Sequence, residues 1–280
     1  MFKGKNIIVT GGSKGIGKTL AKNFFALGAS VLICSRNEEE VKATCKEIDE
    51  KGERFFGLAL DVSKKEDCQK LIDNAISKFG SIDILVNNAG IIGEVGAFID
   101  SDISAWENAI MVNLLGTVNC TRYVLPYMKK EGKGKIINFA GAGVGSKKPL
   151  PNLSSYYTSK TAIAGFTETI ASEIVEDNIQ INCIAPGAIN TNITDYILSQ
   201  GKEKVGEDMY NRTLKQKEEG GDSEEKIFEM VSFLSTDESN HITGRLLSSK
   251  WDKIEMLKKI EREGDLFKLR RIDNELFYGK

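Results

Sequence analysis

Tyr156 and Lys160, four residues apart, form the pair in this chain whose types and spacing best suit proton transfer. Residues four apart on a helix share one face, so the phenol and the ammonium would lie side by side. A phenol, with an ordinary pKa of roughly 10, exchanges protons poorly at neutral pH, but a neighbouring ammonium lowers that pKa. Tyr156 is therefore a candidate general acid or base. Tyr157 competes less well, because Thr161 stands where its lysine would be needed.

A glycine-rich segment near the N-terminus suits phosphate binding. Residues 10–17 read Thr-Gly-Gly-Ser-Lys-Gly-Ile-Gly and lie between an apolar run of strand length and a segment of helical length. Glycine lets a pyrophosphate approach the backbone, and the N–H groups at a helix N-terminus favour its negative charge. The spacing differs from the general Gly-x-Gly-x-x-Gly fingerprint. The alternative is a glycine-rich turn that only joins a strand to a helix.

The elements around these residues predict an α/β fold with a doubly wound parallel sheet. Apolar runs of strand length alternate with amphipathic segments, which is typical of a sheet covered by helices on both faces. We place strands near residues 5–10, 30–34, 55–60, 82–86, 134–140, 179–184 and 245–248. Helices are expected near 15–27, 37–51, 64–79, 103–130, 155–176 and 223–235. Because no linker is visible, we expect one domain over 1–250, with a lid at about 190–222, and an extension over 251–280.

Composition argues against several classes of function. Among 280 residues, 38 basic and 40 acidic side chains give a net charge of -2, which does not favour nucleic acid as a partner. No apolar stretch approaches membrane-spanning length and no signal peptide is evident, so we expect no membrane association and a cytoplasmic location. The five scattered cysteines predict free thiols and no metal site. His241, the single histidine, leaves little scope for a Ser-His or Cys-His nucleophile.

With these motifs, the sequence resembles the short-chain dehydrogenase/reductase family in its compact form. Asn87-Asn88-Ala89-Gly90 after the fourth strand, Asn113, and Pro186-Gly187 followed by Thr191 match further family motifs in the family's order. The resemblance covers roughly residues 5–247. It implies a Rossmann-like fold, hydride transfer between a nicotinamide cofactor and a carbonyl or secondary alcohol, a small-molecule substrate, and a homodimer or homotetramer.

The resemblance also implies a role for individual residues. Tyr156 would be the acid or base, Lys160 would tune it and hold the nicotinamide ribose, and Asn113 would support a water chain that relays the proton. The residues implied in cofactor binding are Gly11, Ser13, Lys14, Gly15, Ile16, Gly17, Ser35, Arg36, Asp61, Val62, Asn88, Ala89, Gly90, Tyr156, Lys160, Pro186, Gly187, Ile189 and Thr191.

The end of the second predicted strand favours NADP(H) over NAD(H). An acidic residue there would bind the ribose hydroxyls and exclude a phosphate, whereas this chain reads Cys34-Ser35-Arg36. Arg36 and Lys14 could form charge-assisted bonds with a 2′-phosphate. The alternative is that both are ordinary surface cations.

One position departs from the family pattern. The family carries a serine near the end of the fifth strand that bonds the substrate oxygen, but here Ile136-Ile137-Asn138-Phe139-Ala140 is followed by Gly141. Ser146, or Ser154 or Ser155, could replace the hydroxyl, although helix capping is the favoured role for the last two. Either another hydroxyl substitutes, or the loop is remodelled for a bulky substrate, or the protein catalyses little. The last explanation supports two alternatives, a cofactor-binding sensor or assembly protein and a non-redox lyase or epimerase that retains its nucleotide.

The C-terminal part of the chain is also unlike the family pattern. The mixed charges of residues 192–222 indicate a mobile lid with a solvated face rather than an anion funnel. A helix is predicted from Asp252 to Glu263, followed by a basic cluster of Lys268, Arg270 and Arg271. We expect this tail to pack on the body or on a neighbouring subunit. A role for Trp251 or the arginines in gripping an anionic substrate is the alternative.

Overall fold

Seven parallel strands pair in the order β3-β2-β1-β4-β5-β6-β7 in the computed structural model, which describes residues 1–141, 143–145, 150–262 and 264–269. The strands are β1 (Asn6–Thr10), β2 (Ser30–Ser35), β3 (Phe55–Ala59), β4 (Ile84–Asn87), β5 (Gly134–Phe139), β6 (Ile179–Ala185) and β7 (Leu246–Ser248). Each begins and ends within two residues of the predicted run. The doubly wound α/β fold is therefore confirmed, and its order reverses between β1 and β4.

The helices connect these strands on both faces of the sheet. They are α1 (Gly15–Ala26), α2 (Glu38–Ile48), α3 (Lys65–Phe79), α4 (Ile103–Ile110), α5 (Gly116–Glu131), α6 (Ser154–Glu173), α7 (Asn192–Ser199), α8 (Gly201–Val205), α9 (Glu207–Glu219), α10 (Glu224–Leu234) and α11 (Ile254–Leu257). The helix predicted over 103–130 is interrupted by a π-helical turn, Met111–Leu115, between α4 and α5. Among the described residues, no helix combines the length and apolar character needed to cross a membrane.

Two apolar layers enclose the sheet because successive strand residues point to opposite faces. In β1, Ile7 and Val9 belong to the core that packs against α1 and α10, whereas Ile8 belongs to the core that packs against α3 and α5. All three side chains are fully buried. Each contributes on the order of 1.5–3 kcal/mol of hydrophobic stabilisation, so β1 is the rigid centre from which the glycine-rich segment leaves.

Buried amides hold the neighbouring strand ends in register. Asn87, the last residue of β4, donates from its side chain to Asn138 Oδ1 of β5 at 2.9 Å and to Thr121 Oγ1 of α5 at 3.1 Å. Asn138 in turn donates to Thr167 Oγ1 of α6 at 2.9 Å. Buried polar groups that satisfy one another in this way fix a single arrangement. The network thus ties the helix that carries Tyr156 to the sheet.

The helix predicted from Asp252 to Glu263 is wrong for most of its length. Only Ile254–Leu257 is helical, and Glu263 itself lies outside the described residues. After Leu257 the backbone bonds change to a three-residue spacing, from Lys259 N to Met256 O at 3.0 Å and from Ile260 N to Leu257 O at 3.3 Å, which is a tighter turn than an α-helix. The carbonyls of Glu261 and Arg262 then accept hydrogen bonds from the buried Arg245 guanidinium.

Candidate functional site

A groove opens at the carboxyl edge of the sheet, where the strand order reverses between β1 and β4. Open α/β sheets bind their ligands at this point. Most of the residues predicted to bind a cofactor line it: Gly11, Ser13, Lys14, Gly15, Ile16, Ser35, Arg36, Asp61, Val62, Asn88, Ala89, Gly90, Tyr156, Lys160, Pro186 and Thr191. The predicted residues Gly17, Asn113, Gly187 and Ile189 are not part of this lining.

Close backbone packing shapes the glycine-rich segment at the floor of the groove. Gly11 has a φ of +65°, and a Cβ there would lie 2.9 Å from the Cα of Ala89. A Cβ on Gly17 would overlap the carbonyl oxygen of Gly11. Gly17 therefore does not line the groove, but its lack of a side chain allows α1 to pack closely against the glycine-rich segment. The Thr10 hydroxyl accepts the N–H groups of Asn88 and Ala89 at 3.1 and 3.0 Å.

Gly187 lies beside the end of the lid, whereas Ile189 is buried in the core that packs against α1 and α10. A Cβ on Gly187 would lie 2.7 Å from Asp222 Oδ2, and the same oxygen accepts the N–H of Ala188 at 2.8 Å. The Lys250 ammonium lies 2.8 Å from the other oxygen, Oδ1. Burial alone would raise the pKa of Asp222, but the bonds from Lys250 and Ala188 outweigh it and lower that pKa. The carboxylate thus pins the loop after β6 to the end of the lid.

Lys160 is a buried cation at the inner end of the groove. Its Nζ donates to the carbonyl of Phe139, the last residue of β5, at 3.0 Å. Burial lowers the pKa of Lys160 to about 8, and the nearby Cys183 thiol opposes that shift. A Cβ on Gly90 would lie 3.1 Å from Nζ, so the absence of a side chain at Gly90 leaves room for the ammonium. The sequence pattern did not anticipate this lowered pKa, which follows from burial rather than from spacing.

The phenol of Tyr156 lies against Gly141, where the family serine would stand. A Cβ on Gly141 would lie 2.6 Å from the Tyr156 hydroxyl oxygen and 2.7 Å from two ring carbons. No real Cβ approaches other atoms so closely, so a serine here would require the tyrosine ring to shift. The loss of the serine is therefore coupled to the position of the proposed acid. Tyr157, in contrast, does not line the groove.

Asn113 lies in the π-helical turn with its amide fully engaged. Its Oδ1 accepts from Ile91 N at 2.8 Å, while its Nδ2 donates to Ile91 O and to Ser159 Oγ, both at 2.9 Å. Its own carbonyl accepts from Thr117 Oγ1 at 2.9 Å. In this structure Asn113 fixes the strand-end loop beside α6, and its predicted part in a proton relay stays a prediction. A single π turn inside an α-helix frequently marks a functional site.

The serines considered as replacements for the missing hydroxyl have other partners. Ser154 Oγ accepts from Trp106 Nε1 at 3.0 Å, and Ser155, fully buried, donates to Ile92 O at 3.4 Å. The capping role favoured for both is wrong, since Leu153 precedes the helix and no side chain caps it. Tertiary contacts compete for these hydroxyls. Ser146 lies outside the described residues.

Two cations and one carboxylate occupy the end of the groove near β2. Arg36 is exposed, and no carboxylate pairs with it within the described part of the chain. Lys14 Nζ lies 3.3 Å from Glu40 Oε1, and Ser13 Oγ donates to Glu40 Oε2 at 3.2 Å. Glu40, on α2, was missed by the sequence reasoning. Because Glu40 is distant from Lys14 in the sequence, their contact is seen only in the folded structure.

The lid packs over the opposite end of the groove. Residues 192–219 form three helices, and Ile197 and Val205 share an apolar cluster with Ile92 and Leu153. The partly buried ring of Tyr156 packs against the same cluster. The lid thus places an apolar wall next to the phenol, as a site for the non-polar part of a substrate requires.

Several lining residues were absent from the predicted site. They are Cys34, Leu60, Ile91, Val112, Phe139, Ala140, Asn192 and Ile193. Most are apolar residues at or just beyond strand ends, and their position at the carboxyl edge was a usable signal. Ile193 belongs to the first turn of α7, which a capping box between Thr191 and Thr194 begins.

Of the residues that the alternative prediction assigned to an anionic substrate, only Trp251 lies within the described part of the chain. Trp251 is 75% exposed, lies beneath Lys250 at 5.0 Å, and does not line the groove. Lys268 is half-buried and does not line it either. Arg270 and Arg271 lie outside the described residues.

Comparison with known proteins agrees with this geometry. The sequence profile of the family described as short chain dehydrogenase matches residues 5–202. The chain is 34% identical to dehydrogenase/reductase SDR family member 4 of Sus scrofa, covering 87% of this chain and 85% of that protein. It is 31% identical to the 3-oxoacyl-(acyl-carrier-protein) reductase FabG of Thermotoga maritima, covering 88% and 96%. The structure of an NAD+-bound xylitol dehydrogenase is similar with a TM-score of 0.79 and 27% identity, covering 88% and 98%.

Proposed function

This chain belongs to the short-chain dehydrogenase/reductase family of NAD(P)-dependent oxidoreductases, and we propose that it transfers a hydride between NADP(H) and a carbonyl or secondary alcohol. The observation that carries the proposal is that Tyr156 and Lys160 line the same groove as the glycine-rich segment. The groove is thus lined both by a candidate proton donor and by a segment suited to phosphate binding.

Residues of the chain fit a dinucleotide in this groove. Lys14, Gly15 and Ile16 line the groove where α1 begins, which suits a pyrophosphate because the first N–H groups of a helix lack intrahelical partners. When bound, the nicotinamide supplies or accepts the hydride at the substrate carbon. In the reductive direction the Tyr156 hydroxyl gives its proton to the carbonyl oxygen as that oxygen gains negative charge, and a secondary alcohol results.

Lys160 makes this transfer easier by placing a positive charge near the phenol. The ammonium is buried and held by the Phe139 carbonyl, so it acts in a low-dielectric environment where its field is weakly screened. It stabilises the tyrosinate that remains after proton transfer. Asn113, by fixing Ile91 beside the groove, keeps the wall of the site in place.

NADP(H) is the proposed cofactor because cations gather where a 2′-phosphate would lie. Arg36 and Lys14 both line the groove, and the residue that ends β2 is Ser35 rather than an acid. A guanidinium and an ammonium can both form charge-assisted bonds with a phosphate. Glu40 opposes this preference, because its carboxylate already neutralises Lys14.

The proposal is tested with purified protein, NADPH and a panel of aliphatic and aromatic ketones, by following the loss of the reduced nicotinamide's absorbance. We expect turnover of at least one ketone, and a Tyr156→Phe variant that binds NADPH normally but turns over at least about a hundredfold more slowly, since general acid catalysis contributes about that much. Full activity in the variant would reject the assigned acid. NADPH binding without turnover of any ketone or of the corresponding alcohols with NADP+ would favour a cofactor-binding role instead.

A further inference from the structure

Arg245 is a fully buried cation that does not line the groove and has no part in the proposed function. It precedes β7 and is only 1% exposed. Its guanidinium donates four hydrogen bonds of 2.6–3.1 Å, to the carbonyls of Glu261, Arg262, Gly264 and Leu266. Burying a guanidinium is costly unless its donors are satisfied. The path of the C-terminal segment is therefore tied to this one side chain.

The same segment covers the outer edge of the sheet. β7 is the last strand in the sheet order, and Leu246 N donates to Phe267 O at 2.7 Å. Phe267 has a φ of +60°, a conformation that costs about 1 kcal/mol or more for a residue with a side chain. The bonds to Arg245 and to the strand edge offset this cost, so residues 261–262 and 264–269, hereafter the C-terminal segment, pack as part of the domain.

Beyond Phe267, the segment reaches the loop that follows β5. Leu269 is half-buried and packs in an apolar cluster with Val144 and Leu246. A Cβ on Gly145 would lie 3.4 Å from Leu246 Cδ2 and 3.8 Å from Leu269 Cδ2. Val144 and Gly145 therefore lie against both β7 and the C-terminal segment. The loop they belong to begins at Gly141, on which the Tyr156 ring lies.

We propose that the C-terminal segment, residues 261–262 and 264–269, is a positioning element for the loop beside Tyr156, with Arg245 as its anchor and Leu269 as its point of contact. Two glycines within 143–145 leave that loop little ability to hold its own conformation. Packing of the Leu269 side chain against Val144 limits the conformations of the loop. Because Val144 N donates to the carbonyl of Gly141 at 3.3 Å, it also limits where the Tyr156 phenol can lie. The effect on turnover rests on the proposed function, whereas the effect on the loop does not.

The test compares Leu269→Ala with Leu266→Ala. Leu266 belongs to the same segment but is 66% exposed, so its truncation is a matched control. Hydrogen exchange is measured without substrate on peptides that span residues 139–145. We expect about tenfold faster exchange there for Leu269→Ala, corresponding to about 1.4 kcal/mol of lost local stability, and no change for Leu266→Ala. Unchanged exchange in Leu269→Ala would overturn the proposal.

Turnover supplies the second readout. For any ketone that the protein reduces, Leu269→Ala should lower kcat by about tenfold through misplacement of the acid while the NADPH dissociation constant stays unchanged. Leu269→Met should restore most of the loss, because it refills the contact. An equal weakening of NADPH binding would indicate general unfolding and overturn the positioning role. If no ketone is reduced, the proposed function fails while the exchange result still decides this inference.

Arg245→Lys tests the anchor. An ammonium has three donors and cannot bond four carbonyls, so exchange should rise both in the C-terminal segment and in 139–145. Faster exchange confined to the C-terminal segment would show that the two segments are not coupled, which also overturns the proposal.

Discussion

Gly141 shows how far the sequence could describe the reacting residues. The absence of a hydroxyl after β5 was evident from the pattern, but nothing in the pattern says what fills the space that a missing side chain leaves. In the structure the Tyr156 phenol fills that space, with its hydroxyl oxygen 2.6 Å from the position of a Cβ added to Gly141. The pair of Tyr156 and Lys160 was predictable because helical spacing fixes it, whereas the packing of the phenol depends on contacts distant in sequence.

The lowered pKa of Lys160 predicts how activity depends on pH. A lysine is cationic below its pKa, so a value of about 8 means that the charged fraction falls as pH rises through about 8. For ketone reduction with saturating NADPH, we expect kcat/KM to be constant below about pH 7 and to fall roughly tenfold per unit well above pH 8.

Two variants decide whether Lys160 causes this fall. In Lys160→Arg the charge persists, so the fall should move to higher pH even though the rate is lower throughout. Lys135 is the matched control, because burial also lowers its pKa to about 8 but it lies at the other end of β5, bonded to Asn240 Oδ1 at 2.7 Å. Lys135→Arg should leave the profile unchanged. A profile that is flat through pH 9, or that moves in Lys135→Arg, contradicts the assignment.

At the scale of elements, agreement between sequence and structure follows from how each element is stabilised. The seven strands are apolar runs buried in the sheet, and their pattern is visible in the sequence alone. The helix predicted at 252–263 extends only over Ile254–Leu257, and amphipathic spacing cannot reveal that the carbonyls of Glu261 and Arg262 bond the distant Arg245 side chain. Likewise, the serines at the start of α6 were predicted as caps, but Trp106 and Ile92 engage them.

The junction between the lid and the loop after β6 depends on Asp222. Its carboxylate accepts the Ala188 N–H and pairs with Lys250, both at 2.8 Å. Asp222→Ala removes the carboxylate that binds both Ala188 and Lys250. The loop that carries Pro186 and Thr191 into the groove is then no longer held to the end of the lid. We expect kcat/KM for a ketone to fall about tenfold, mainly through a higher KM, since a hydrogen bond to a charged group contributes about 1.5–3 kcal/mol.

Asp195→Ala is the control that separates the specific role of Asp222 from the general loss of a negative charge on the lid. Asp195 pairs with Lys217 at 2.7 Å, but both side chains are more than half exposed. Exposed pairs contribute about 0–1 kcal/mol, so Asp195→Ala should leave KM unchanged. If both variants raise KM equally, the junction is not specific to Asp222.

At the scale of the whole molecule, the groove joins parts of the chain that are far apart in sequence. Its lining comes from the loop after β1, the ends of β2 to β5, α6 and the start of the lid. The sequence could assign most of these residues because they belong to short motifs, either at strand ends or on α6, that resemble those of the family. It could not assign Glu40, which reaches Lys14 and Ser13 only because α2 packs beside the glycine-rich segment. The Lys14–Glu40 contact, which bears on the proposed cofactor preference, is therefore absent from the linear pattern.

A cofactor bound in such a groove stabilises the entire domain by binding only its folded form. At a hundred times its dissociation constant, a ligand adds about 2.7 kcal/mol, which raises the unfolding midpoint of a domain of this size by about 5 °C or more. We expect NADPH to raise the midpoint more than NADH at equal concentration. Removal of the competing carboxylate in Glu40→Gln should free Lys14 for the 2′-phosphate and widen that difference, by about threefold in relative affinity. The matched control is Glu47→Gln, since Glu47, also on α2, pairs with Lys18 at 2.7 Å, and Lys18, unlike Lys14, does not line the groove. A larger shift with NADH, or an equal response in both variants, would mean that Arg36 and Lys14 are ordinary surface cations.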